Sequence, residues 1–589
     1  MTCPKCGASM RDNEYLCWNC GAYNPPAPQQ PLPQPQPPRN PQPQGWYPAQ
    51  QQPAISKPAK GLPRRVIAIV VAVLVVAGGG TAAFVALKNR GPAPPPSGGT
   101  LPNGQPAYTE KSTKSSASKK GRVTNVTSPE FELSDDFIVP VVRQTTVPEG
   151  YIGISTAEEF DKIRLNKAGN YILMGDIDLA LILEWEPIDS FKGILDGNGF
   201  TVKNVKRGIL GDLFSAEVRN LKAVPVANID DSVFRNGLWY AIIAERVFKN
   251  SIIDNCSVGG KIKIDLRGTA GVFISCIAVS AESSIISNCL NVCDVEIIVP
   301  SRVEVNGFEV ISGLDVGGIV CTLGQDVKIF NSFNQGNISI SSQKFFGYSL
   351  GGIVGDVYNG NNATIESCRN DGSIKVTNNL PAVEREGRAH FSAGGIAGGK
   401  VAGLGGTVLE ISNCVNNADI TVNSSGLMSL CSVAGILATD SISRATQINN
   451  CYNVGNINIS VDFDFSLMET MSITIGQPNY SINGIADRGD IKTCYNKGGI
   501  NISIPLTGES YTRFVNMGGI VGWFKDVEYC YFLNNVESAT PDGALFANVK
   551  KLTDAEMQKK ASYVGFDFDS IWEMGKGDYP YPVFKARYE

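Results

Sequence analysis

The sequence has one histidine, His390, in 589 residues. Any Ser-His-Asp or Cys-His catalytic arrangement would have to run through that side chain, and metal sites built on several histidines are excluded. The zinc-protease signature HExxH is absent for the same reason. Excess positive charge is lacking too: 51 Lys and Arg face 56 Asp and Glu, a net charge of −5. That sum hides a gradient. Residues 1–122 carry fourteen basic residues (Lys5 to Arg122) and three acidic ones (Asp12, Glu14, Glu110), or +11, which leaves −16 for the rest. An acidic carboxyl-terminal region does not suit nucleic acid, whose capture depends on basic charge. No Walker, Rossmann or nucleophile-elbow pattern lies in a strand–turn–helix context.

What is present begins with cysteine. Cys3-Pro4-Lys5-Cys6-Gly7 and Cys17-Trp18-Asn19-Cys20-Gly21 form two CxxC turns separated by ten residues. Four thiolates, Cys3, Cys6, Cys17 and Cys20, give the tetrahedral shell of structural zinc. Residues 1–23 are too few to build a core without a metal, which places zinc ahead of disulfides or a redox CxxC. The stretch resembles the short zinc ribbons at the start of many bacterial membrane proteins, which are structural or bind a protein partner. Residues 24–63 are dominated by Pro and Gln and read as a disordered, semi-rigid spacer.

Val66 to Leu87 is twenty-two residues without a charge, long enough to span a bilayer as a helix. Lys57, Lys60, Arg64 and Arg65 precede it, and Lys88 and Arg90 follow. The positive-inside rule mildly favours a cytoplasmic amino terminus, and reduced zinc-binding thiols agree with that side. Residues 88–148, rich in Pro, Gly, Ser and Lys at their start, read as a disordered stalk.

Beyond the stalk the chain repeats two phrases. One is Gly-Gly-Ile-Val-Gly, as at Gly351-Gly352-Ile353-Val354-Gly355, with copies at Gly317, Gly394 and Gly518. The other is Asn-Cys-x-Asn-x-Gly-x-Ile-x-Ile, clearest at Asn450 to Ile459, with copies centred on Cys256, Cys289, Ser332, Cys368, Cys414, Cys494 and Cys530. A period of 33 to 46 residues is that of a solenoid or array. Short alternating strands imply a mostly β chain of stacked coils, each buried only by its neighbours. Two coils per repeat would make seven or eight repeats a rod on the order of 70 Å long. Glycines are expected at positive φ where coils bend, and inward asparagines at corners bonded to the backbone of adjacent coils. The cysteines of the second phrase read as a column of buried thiols. Cys276, Cys293, Cys321 and Cys431 stand off that register, and pairing with column members stays open.

The order "ISTAEEF…YILMGDIDL…WEPI…FKGILDGNGFTVKNV", then the repeats, then "LTDAEMQ…GFDFDSIWEM…YPYPVF" resembles the bacterial GLUG-repeat surface proteins over residues 150–587. The resemblance implies a right-handed parallel β-helix on a bacterial surface, adhesive or structural. It divides the region into an amino-terminal cap and first coils (149–250), GLUG-like repeats (251–550) and a carboxyl-terminal cap (551–589). Capping boxes at Thr156/Glu159 and Thr553/Glu556 predict a short helix at each end.

Carboxylate pairs that share a strand face can bind calcium or act as acid and base on a glycan; the candidates are Asp176 with Asp178 and Asp462 with Asp464. A turn role is the plainer reading of the first pair, and the second lies in an insertion between coils. No cofactor other than zinc and no catalytic residue is assigned. The sequence therefore reads as a single-pass membrane protein whose β-helix lies outside the cell and binds an extracellular glycan or protein. Two alternatives stand beside it: a carbohydrate-active lyase or hydrolase working in a groove of the rod, and a transmembrane sensor whose cytoplasmic ribbon holds a partner.

Overall fold

The computed structural model describes residues 138–585, apart from 231–237, 267–270, 301–303, 306–307, 310–312, 345–346, 358–361, 381–389, 400–408, 427, 429, 440–445, 464–478, 507–513, 542, 544–545 and 547. The expected zinc ribbon, the Pro/Gln spacer, the span at 66–87 and most of the stalk lie outside the described residues. Among the described residues no helix is long and apolar enough to cross a membrane.

One coil shows how all are built. Leu314–Gly317, Val320–Leu323, Lys328–Phe330, Phe333–Asn334 and Ile338–Ser342 follow each other around five walls. The chain then rises one layer, and Tyr348–Gly351 pairs in parallel with Leu314–Gly317. Every later wall repeats the step, with Val320 beside Val354, Lys328 beside Thr364, Phe333 beside Arg369 and Ile338 beside Ile374. The third and fourth walls are each twelve strands deep, the first and fifth eight, and the second five. This is a parallel β-helix.

The period is one coil, not two. The Gly-Gly phrase turns the corner between the first and second walls, and the Asn-Cys phrase the corner between the third and fourth. Both belong to the same turn of the helix. Twelve stacked layers at strand spacing give about 53 Å, shorter than two coils per repeat would make it.

Strand alternation points one residue in two inward: Ile457, Ile459 and Val461 are buried while Asn458 and Ser460 between them are half-buried. Each coil corner before the fourth wall needs a left-handed residue. Asn255, Asn288, Asn331, Asn413 and Asn450 supply it with φ between 46° and 53°. Asparagine tolerates that region better than other side chains with a Cβ, which explains the first letter of the Asn-Cys phrase.

The second asparagine of the phrase does something else. Asn291, Asn334, Asn370, Asn416, Asn453 and Asn496 are buried in a column, each amide donating to the carbonyl oxygen of the next at 2.7 to 2.8 Å. The same amide nitrogen also reaches the backbone two residues on, as Asn416 does to Ala418 O at 2.9 Å. The expectation of bonds to the backbone of adjacent coils is thus amended: between coils the ladder runs side chain to side chain.

Opposite this ladder lies the second position of the Gly-Gly phrase, which stays glycine where the first has become Ala434 or Asn483. A Cβ on Gly318, Gly352, Gly395, Gly435 or Gly484 would stand 2.2 to 2.6 Å from the facing asparagine side chain. None of these glycines has positive φ. They are chosen for the missing Cβ, not for backbone freedom, which corrects the expected role. The two phrases therefore specify one contact across the core.

Both ends are covered. At the start, helix α1 (Ala157–Asp161) carries the Thr156/Glu159 capping box and buries Phe160. At the finish, residues 536–540 cross the last coil: Val536 and Ala539 join the core, and Ala539 O accepts from Ile520 N and Val521 N at 3.1 Å. The aromatic tail after α2 (Asp554–Met557) lies on the flank instead. Trp572, Tyr563 and Phe566 pack on the outward column Tyr452–Tyr495–Tyr531 of the fourth wall.

Residues 138–148, read as stalk, also lie along the rod. Asn255 exchanges two hydrogen bonds with the Val139 backbone, and Asn198 two with that of Gln144.

Candidate functional site

The four expected zinc ligands, Cys3, Cys6, Cys17 and Cys20, lie outside the described residues. Of the carboxylate pairs, Asp176 accepts from Thr201 N at 2.9 Å, and Asp178 caps Ala180 N at 3.0 Å while accepting from Asn204 at 2.6 Å. Both hold turns. Asp462 follows the strand Ile457–Val461 and donates its backbone N–H to Ser424 O, and Asp464 lies outside the described residues. His390 opens the strand His390–Gly394 with its side chain exposed. Among the described residues no three His, Cys, Asp or Glu gather as metal ligands.

All eleven described cysteines are free and buried. In the column, each thiol lies against the carbonyl two residues earlier, at 3.2 Å for Cys414 and 3.3 Å for Cys451. Ser332 makes the same contact with Phe330 O at 3.1 Å, so sulfur is not required. Burial pushes the thiols of Cys256, Cys414, Cys451 and Cys494 well above the ordinary range, which suppresses the reactive thiolate.

A cavity of about 310 Å³ opens between the fourth wall and the antiparallel hairpin of Trp572–Met574 and Pro582–Phe584, beside Phe333, Arg369, Tyr452, Phe584 and Lys585. Its cations are engaged. Arg369 Nε donates to Asp371 at 2.8 Å, and Lys585 Nζ to Asp569 O at 2.6 Å.

The arrangement with unspent chemistry is a crease between the first and second walls. There the chain bends so that outer faces meet. Ala241 and Phe273 on one side pack against Val279 and Cys321 on the other. Ser392 Oγ accepts from Gly399 N, seven residues ahead, and Ser432 Oγ from Thr439 N, at 2.9 and 3.1 Å. Strand register carries that seven-residue step down the crease from Ser432 and Ser392 through Ser349, Asp315 and Phe273 to Trp239. Trp239 therefore stands across from Glu245 and Arg246 at the amino-terminal mouth.

Several groups meet at that mouth. Trp239 is 38 % exposed, its ring tilted by 45° against Phe273 at 4.9 Å between centroids. Arg246 holds Asp212, in the coil before it, through Nε at 2.6 Å and Nη2 at 2.5 Å. Glu245 is half-buried, and among the described residues no hydrogen bond reaches its carboxylate. Loss of water, then the neighbouring Asp212, push its pKa up to about 7 against the pull of Arg246, with Asp189 adding to the rise. A carboxyl poised at neutral pH can donate or accept a proton, and an exposed indole beside it can stack on a ligand ring.

The sequence reading missed this site. Trp239 and Glu245 precede the regular repeats, where no phrase marks the first wall, and the seven-residue step becomes visible only once the crease is formed.

No family model matches the chain, and no curated protein matches it. Among solved structures, one similar chain is a candidate immunoglobulin A1 protease from Bacteroides ovatus, 16 % identical, covering 74 % of this chain and 92 % of its own length with a TM-score of 0.32. Another is an IgA1 protease, 16 % identical with a TM-score of 0.33, where the match covers 51 % of this chain and 21 % of the other. Neither likeness bears on chemistry, and the architecture rests on the strand pairing itself.

Proposed function

We propose that the chain is a single-pass bacterial envelope protein of the GLUG-repeat kind, with a cytoplasmic zinc ribbon and an external β-helix that binds a glycan or protein without turning it over. The ribbon would hold zinc through Cys3, Cys6, Cys17 and Cys20 and serve as the docking point for a cytoplasmic partner. The observation that carries the binding reading is the rod itself. It is stiffened by a continuous asparagine ladder, covered at both ends, and creased along one side with an exposed tryptophan at the mouth. Such a scaffold presents fixed contacts at coil spacing, which suits an extended ligand.

The test is a glycan and matrix-protein array probed with the full chain in detergent, followed by assay of the bound ligands for released product. Binding without product is expected. New reducing ends or unsaturated products would overturn the reading.

One observation favours a carbohydrate-active enzyme instead: the Glu245 carboxyl near neutrality has the pKa of a general acid. Glycoside hydrolysis needs a second carboxylate free to act as base or nucleophile. Of the two carboxylates that act on Glu245, Asp212 is clamped by Arg246, and Asp189 accepts from Ser190 Oγ and Asp212 N. Binding is therefore the better account.

A further inference from the structure

We propose that the mouth of the crease is a subsite for one pyranose ring of a neutral or amino-sugar glycan, stacked on Trp239 and hydrogen-bonded by Glu245. This deepens the binding reading above and rests on it.

The argument starts from what the side chains leave unused. Trp239 is 38 % exposed and meets Phe273 with its ring tilted by 45°, so part of the indole surface stays open to a partner. The flat apolar face of a pyranose fits such a ring, while its edge of hydroxyls needs acceptors. Glu245 supplies an acceptor with no hydrogen-bond partner among the described residues, six residues ahead on the facing wall. Arg246 and Asp212 satisfy each other and fix the floor. A half-buried acid without a hydrogen bond costs stability, and such groups are retained where a ligand completes them.

Charge selects the glycan. Glu245 faces Asp212 in the preceding coil and Asp189 one coil earlier, with Arg246 beside it on its own strand. Among the described residues, the coil above offers Val279 and Ser280, and the opposite wall Trp239 and Phe273. Among the described residues, Asp212 and Asp189, joined by Glu245 as it ionises, face one engaged guanidinium and repel uronic acids and sulfated sugars. They accept hydroxyl or ammonium groups.

The experiment measures binding of the full chain in detergent to cellohexaose, chitohexaose and polygalacturonic acid, by calorimetry and by tryptophan fluorescence. Wild type is expected to bind at least one of the first two and not the third. Trp239→Ala should lose about tenfold or more, as truncation of an aromatic anchor does, and Trp239→Phe should recover part of it. Trp523→Ala, at the other end of the crease, should bind as wild type. Affinity should rise with pH through about 7 as Glu245 ionises, since a carboxylate is the stronger acceptor, and Glu245→Gln should flatten that profile. Oligosaccharide binding that survives Trp239→Ala unchanged, or binding of polygalacturonic acid alone, overturns the subsite and leaves the binding rod standing. Should no member of the broader array bind, the rod reading falls with it. Near-ultraviolet dichroism of each variant separates lost contacts from lost folding.

Discussion

At the scale of single residues, the repeat phrases divide between geometry and stability, and Glu245 belongs to neither. Its ordinary pKa of 4.5 rises to about 7 in the folded chain. The folded state therefore holds the proton more tightly than the unfolded state between those values. Stability is fully present below about pH 4.5, falls as pH rises, and levels off above about 7. Glu245→Gln removes this dependence. The variant should match wild type near pH 4 and exceed it near pH 8 by on the order of 1 kcal/mol, the shift being discounted for a partly solvated group. Urea melts at the two pH values measure it. Equal stabilities at pH 8 would mean that the carboxyl is not strained by burial. A variant that gains stability and loses ligand would show the exchange expected of a binding residue.

Among the elements, the aromatic tail is the one most separable from the rod. Its core, with Trp572, Tyr563, Phe566 and Met557, joins the coils only through outward side chains such as Tyr452, Tyr495 and Tyr531. The main core runs independently beneath. Trp572 is fully buried, so Trp572→Ala should cost about 3–5 kcal/mol, confined to the tail. Hydrogen exchange should show protection lost over residues 553–585 while the coil strands keep theirs. Loss of coil protection as well would show that the tail supports the solenoid. Trp572→Phe should cost only about 1 kcal/mol, because among the described residues the buried indole N–H has no partner to lose. This element also shows how far sequence reading reaches. The capping boxes Thr156/Glu159 and Thr553/Glu556 announce both helices, since their signal is local. That the aromatic residues after the second helix pack on a flank, not across the end, depends on outward tyrosines three coils deep. Positions such as Tyr452 and Tyr495 become neighbours only through the strand pairing of successive coils. The crease is hidden for the same reason: Trp239 and Glu245 are six residues apart and carry no periodic mark. Repeats were legible because each copy restates one local rule. Contacts between walls are written nowhere in a single copy.

For the whole molecule, one period equals one coil, and that has a consequence for deletion. Each coil touches only the coil above and below, so the rod approximates a one-dimensional chain of like units. Removing Cys414 to Asn450 takes out one full period, because Val415 and Tyr452 are direct neighbours 37 residues apart. The cut joins Asn413 to Cys451 and restores the Asn-Cys phrase. Asn453 then meets Asn370 in the ladder where Asn416 stood, and Gly435 leaves with its coil, so the Gly-Gly positions stay in step. The shortened chain should fold cooperatively, lose about 5 Å of length by small-angle scattering, and show a slightly smaller urea dependence for its smaller buried surface. Deleting residues 432–450 alone would join the first wall to the fourth and turn inward side chains onto the wrong faces, which should abolish folding. If two coils made one repeat, the 37-residue cut would be the disruptive one. The pair of deletions thus separates the two periods directly, through a measurement that depends on no ligand.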